Sequence, residues 1–201
     1  MPKLMDHPKQ KQAIAEAAWR VIMQQGMQKA SARNIAKEAG LSLGAMRYYF
    51  SAQNELLAYA NQLVHARLAE KIDTIFQDDV QPKEKILRVL LCLLPSREEP
   101  MLETSVRLSL KMACTQDAES IGKVPDAAYS AAKNVISYLA LLNLIVKNAD
   151  LELETERLSA LLDGLAMISL ANPAEAEEAK IKRLIRYHLN SISTESFSEP
   201  K

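Results

Sequence analysis

Residues 36–50 read AKEAGLSLGAMRYYF. Two glycines flank Leu41-Ser42-Leu43, and the stretch closes on Tyr48, Tyr49 and Phe50 in a chain that is only 5% aromatic. Ala36, Gly40 and Met46 stand at the spacing of two short helices joined by a tight turn, the helix-turn-helix pattern. A small Ala36 lets the second helix approach, Gly40 supplies the left-handed backbone of the turn, and Met46 buries the second helix against the first. Gly44 differs: inside a helix it costs about 1 kcal/mol relative to Ala, which makes sense where backbone must come close to a partner. Phe50, four residues after Met46, shares its buried face. Tyr48 and Tyr49 point elsewhere, and their hydroxyls suit phosphate oxygens, contacts that orient a protein on a duplex. Leu43, Gly44, Ala45 and Arg47 are left for base edges. For Tyr49 a second reading stays open, that it only covers the junction with the next helix.

Working outward, the chain reads as all-α. It has 5 Gly and 8 Pro in 201 residues, amid Ala, Leu, Glu, Lys and Gln, which lose little freedom in helices. Apolar spacing predicts a first helix over 8–25, stopping at Gly26; Ser31 caps a second that ends at Gly40, Ser42 caps a third, and Ser51 caps a long fourth reaching Gln77. Pro82 opens a fifth, and a sixth covers 98–115. TQDAESIGKVP reads as loop, and Pro125 opens a seventh that is apolar nearly all round through Asn148. Two last helices, 153–171 and 174–191, are divided by Asn172-Pro173. The expected organisation is a helix-turn-helix DNA-binding domain at 1–50, a helical ligand-binding and dimerisation domain at 51–192, and a disordered tail at 193–201.

Charge points to a polyanion partner for the N-terminal end. The whole chain balances at 25 basic and 25 acidic residues, yet residues 1–50 hold 8 Lys and Arg against 3 Asp and Glu. Lys3, Lys9 and Lys11 could add phosphate contacts there. Cys92 and Cys114 lie 22 apart with no C-x-x-C pair, so neither a disulfide framework nor a metal site is expected. His7, His65 and His188 are scattered, and no phosphate loop, G-x-S-x-G or H-E-x-x-H run is present, so no catalytic residue and no cofactor is expected. Without a secretion signal or an apolar span, the expected location is the cytoplasm.

Taken in order, Ile14, Ala17-Ala18, Gly26, Ser31, Arg33, Ile35-Ala36, Ala39-Gly40, Ser42, Gly44, Met46, Tyr49-Phe50 and Glu55-Leu56-Leu57 resemble the DNA-binding domain of the TetR (tetracycline-repressor) family of bacterial regulators. Beyond residue 60 the resemblance extends only to helix order, a nine-helix layout. It implies that Ser31 and Arg33 on the second helix contact DNA, and that Ser42, Leu43, Gly44, Ala45, Arg47, Tyr48 and Tyr49 face the groove. Two positions depart from the pattern. Gln53 stands where a phosphate-binding Lys is frequent, which weakens backbone affinity; Arg47 stands where Tyr is common, restoring a charge that can read guanine. The bases recognised are therefore left open.

The last two helices each carry an apolar stripe: Leu158, Leu161, Leu162, Leu165 and Ile168 on one, Ile181, Leu184, Ile185 and His188 on the other. Two copies would make a four-helix interface; the other reading is that the stripes close the chain's own core. Recognition also favours a homodimer, since one short helix reads too few base pairs to select a site in a genome. The partner is then a palindromic operator in double-stranded DNA, with half-sites ~34–36 Å apart or a related distance. Between the fourth and seventh helices, polar side chains interrupt apolar ones. Tyr59, His65, Arg88, Glu103, Arg107, Asn134 and Tyr138 are candidates to line a ligand pocket with Cys92, Met101 and Met112 as adaptable walls; each also fits packed core or open surface. By resemblance, the function is a repressor released by a small-molecule effector. The alternatives are an effector-independent DNA-binding dimer, and a ligand carrier whose helix-turn-helix is only structural.

Overall fold

The computed structural model describes residues 7–95, 101–116, 126–174 and 176–197, with backbone alone at 101, 102 and 113–116. Among them are nine α-helices and no strand: α1 His7–Gln25, α2 Ala32–Glu38, α3 Leu43–Tyr49, α4 Gln53–Gln77, α5 Pro82–Leu91, α6 Met101–Gln116, α7 Ala127–Leu141, α8 Leu151–Ala171 and α9 Glu178–Ile192. No helix of the described residues is long and apolar enough to cross a membrane.

The fold divides into two compact units, Met1–Arg67 with Leu102–Val124, and Leu68–Met101 with Pro125–Lys201. The boundary expected after residue 50 is thus displaced. The first half of α4 delivers Leu56, Leu57, Ala60 and Val64 to the same core as α1–α3, and α6 adds Val106 and Leu110 to it. At its centre lies fully buried Trp19, whose Nε1 donates to the Ala60 carbonyl at 3.2 Å, so the one polar atom of the ring keeps a partner. Arg67 stacks over this indole 4.8 Å from its centroid and pairs with Glu16 of α1 and Glu103 of α6.

In the second unit α7 packs on α8, and α9 packs on α5 and α8. The seventh helix is shorter than the apolar pattern predicts. It stops where Asn143 adopts φ 55; Asn143 N–H then donates to Ala140 O at 3.0 Å and Leu144 N–H to Leu139 O at 2.9 Å, a Schellman stop in which Asn replaces the usual Gly. Nor is this helix enclosed all round, for Lys133, Asn134, Ser137 and Leu141 are exposed. The following residues pair with the chain end: Val146 N–H donates to Ile192 O at 2.9 Å and Thr194 N–H to Leu144 O at 2.8 Å.

The disorder expected from 193 does not extend to residues 193–197. Residues 193–197 form a strap: Phe197 is buried, its N–H donates to Asn190 Oδ1 at 2.6 Å, and Lys83 of α5 donates to Glu195 at 2.7 Å and to the Ser196 carbonyl at 3.1 Å. One buried aromatic ring outweighs the polar composition around it. The loop expected at 115–125 lies largely outside the described residues, as do Lys3 and residues 198–201.

Candidate nucleic-acid interface

The two short helices α2 and α3 each begin on a bond their own sequence supplies. Ser42 Oγ accepts from Ala45 N–H at 3.0 Å, closing the first turn of α3, and Ser31 Oγ accepts from Asn34 N–H at 3.3 Å at the start of α2. Between them Gly40 adopts φ 67. Its N–H donates to Lys37 O and that of Leu41 to Ala36 O, at 3.1 and 2.8 Å, the Schellman stop that most residues with a Cβ enter only under strain. Ser51 behaves otherwise than a cap. Its N–H and hydroxyl both donate to Glu55 Oε2, at 2.8 and 2.9 Å. Those two bonds hold the Glu55 carboxyl below its ordinary range.

Inward and outward faces of α3 separate cleanly. Met46 and Phe50 are 2% and 1% exposed, anchoring the helix in the first core. Gly44, Ala45, Arg47 and Tyr48 are exposed, Tyr48 at 75%, and Leu43 and Tyr49 are half-buried. A Cβ on Gly44 would meet only Ser42 Oγ at 3.9 Å, ordinary contact, so no neighbour within the chain requires the glycine. Arg33 and Gln53 are exposed and Ser31 half-buried. Lys11 is committed elsewhere: it sits 4.9 Å over the Phe50 ring and 3.8 Å from Glu55, tying α1 to the start of α4.

Residues 14–60 match the model of the bacterial regulatory proteins, tetR family, and residues 82–194 match that of the BetI-type transcriptional repressor C-terminal region. The chain is 45% identical over 199 residues to the HTH-type transcriptional regulator PksA of Bacillus subtilis (strain 168), covering 99% of this chain and 97% of that one. The chain belongs to the TetR family. It is a transcriptional regulator, not an enzyme. A shorter match, 33% identity over 92 residues, joins it to the BetI regulator of Proteus mirabilis, covering 45% of this chain and 46% of that one. The fold also superposes on a transcriptional regulator from Saccharomonospora viridis in complex with choline, at TM-score 0.77 and 22% identity over 94% of this chain and 100% of the other. A second superposition, on a regulator from Pseudomonas aeruginosa PAO1, reaches TM-score 0.76 at 23% identity over 94% and 92%.

The stripes assigned from sequence to the TetR dimer interface divide in two. Leu158, Leu162, Leu165, Ile181, Ile185 and His188 are buried within the chain's own second unit. Of the rest, Leu161 is half-buried while Ile168 and Leu184 are exposed. Met167 and Tyr187 are also exposed, at 53% and 78%, Tyr187 three residues after Leu184 on the same helix face.

The ligand candidates fall in both units. Tyr59 belongs to the first core, its ring 5.5 Å from that of Phe50; Asn134 and Met112 are exposed. Glu103 pairs with Arg67, Arg107 is buried, His65 and Cys92 are half-buried, and the Met101 side chain lies outside the described residues. Arg88 bonds Glu84 and Asp78, both at 3.0 Å, on the wall of a surface groove of about 740 Å³ that the α4–α5 turn, Arg186 and the strap enclose. Tyr138 meets Phe76 edge to face at 6.1 Å.

Proposed function

We propose that this regulator is a homodimeric repressor that holds a near-palindromic operator through α3 and leaves it when a small-molecule effector binds. The observation that carries the reading is the outward face of α3. A seven-residue helix is pinned by two buried side chains, while a glycine without an internal reason, a small alanine, an arginine and a tyrosine stand open to a duplex. In that reading Arg47 and the backbone at Gly44 meet base edges, and Tyr48, Tyr49, Ser31, Arg33, Ser42 and Gln53 orient the unit on the backbone. A dimer is supported by the open apolar surface of α8 and α9, Met167 and Ile168 with Leu184 and Tyr187, which a second copy of the same pair would cover. Such a regulator works in the cytoplasm, beside the chromosome.

The choline complex of a neighbour with this fold supports an effector of that kind, and choline is the first probe. The switch requires that the effector favour the DNA-released state, by a coupling of roughly 1–3 kcal/mol. The test selects bound duplexes from a random DNA pool and repeats the titration with choline and other small cations. A twofold motif, bound with two chains per duplex and weakened by effector, supports the proposal. A motif without symmetry, bound by one chain, removes it.

A further inference from the structure

His7 plays no part in the sequence reading of the interface, yet its ring is in the middle of it. The imidazole centroid lies 5.0 Å from that of Tyr49 and 5.8 Å from that of Tyr48, and the two tyrosines stand 5.2 Å apart at 88°. Consecutive residues of a helix point about 100° apart, so Tyr48 and Tyr49 open as a fork at the end of α3. The ring of His7, brought across by the first turn of α1, fills it. All three separations fall in the range where edge-to-face rings attract. Tyr48 is 75% exposed, and an exposed tyrosine otherwise samples several rotamers whose loss must be met when it binds.

We infer that His7 is a positioning residue for DNA binding: it braces Tyr48 and Tyr49 in one arrangement before the duplex arrives, leaving their hydroxyls outward to donate to phosphates. The inference rests on the reading that α3 faces the duplex. It differs from a direct phosphate contact because the imidazole acts through the two phenol rings. A phenyl ring in its place would do the same work without a polar atom.

A double-mutant cycle on the full chain tests it, using a duplex enriched from a random pool by the wild-type protein. His7→Ala should weaken binding about five- to tenfold, with the thermal midpoint and the salt slope of binding unchanged. His7→Phe should bind within about twofold of wild type. In the Tyr48→Ala/Tyr49→Ala background His7→Ala should change affinity by less than about twofold. Three outcomes overturn the inference: no loss in His7→Ala, an equal loss without the tyrosines, or a salt slope reduced by about one, the mark of a lost phosphate contact. Failure of the wild-type chain to bind any duplex at low salt is a different result, which sinks the reading of α3 itself and this inference with it.

Discussion

The two compact units solve the burial problem in different ways. In the first, α2 and α3 are seven residues each, too short to persist alone. They are fixed by end-specific bonds, two serine caps and a Schellman turn, and by a core gathered around Trp19. In the second, α8 and α9 are 21 and 15 residues long and carry apolar side chains on two faces, one packed inward and one open. In the first unit the short helices take their positions from caps and from one core. A unit built from long helices keeps hydrophobic surface that one copy does not cover.

The largest expected effect would break that contrast. Leu158→Ala removes a fully buried side chain and should cost about 2–5 kcal/mol of stability, read by denaturant melts. Ile168→Asp, on the open face of the same helix, should shift the melt of the dissociated chain by no more than about 0.5 kcal/mol while lowering the dimer fraction in sedimentation. Equal destabilisation by both changes would mean that the two faces of α8 are not distinct.

His188 sharpens the same comparison through pH. Its ring is buried with Nε2 lacking a hydrogen-bond partner; burial, and then the nearby Arg157 charge, pull its pKa down from 6.5 to about 4. Above pH 6.5 the ring is neutral whether folded or unfolded. As pH falls from 6.5 towards 4, the unfolded chain takes up a proton that the folded one refuses. At most about 3 kcal/mol of stability is lost across that window, less to the extent that water reaches the ring, and the loss is complete below it. Thermal melts from pH 7.5 to 4.5 should show this slope in wild type and not in His188→Gln; an identical slope in both would assign it to other groups.

The reading unit was legible because its signals are local. Ser31, Ser42 and Gly40 each act on backbone within three or four residues, so their spacing in sequence is their geometry in space. The second unit was legible in its helices but not in their orientation: Leu158 and Ile168 obey the same periodicity, and only tertiary packing separates inward from outward. The same ambiguity hid the end of α7, where Asn143 was the one visible interruption, and the strap, where Phe197 alone argued against a loose tail. His7 escaped because its partners are more than forty residues away.

Gly40→Ala tests the local side. It adds a Cβ at φ 67 with no atom within 4 Å, so its cost of about 1–2 kcal/mol is backbone strain rather than collision. Urea melts of Gly40→Ala and Gly40→Asn measure it, and Asn should recover part of the loss because it tolerates the left-handed region. Equal losses would place the requirement elsewhere than in φ.

Gly44→Ala carries the smallest change in stability and the most informative sign. The added methyl meets only Ser42 Oγ at 3.9 Å, so nothing in the folded chain opposes it, and helix propensity favours Ala by up to about 1 kcal/mol, less near a helix end. The variant should therefore melt slightly later than wild type, by about 0.5 kcal/mol, and bind DNA more weakly, since the glycine's only remaining reason is close approach by an outside partner. A variant that is both more stable and equally tight on DNA would leave Gly44 unexplained by the groove. It would leave base contact to the side chains of Ala45 and Arg47.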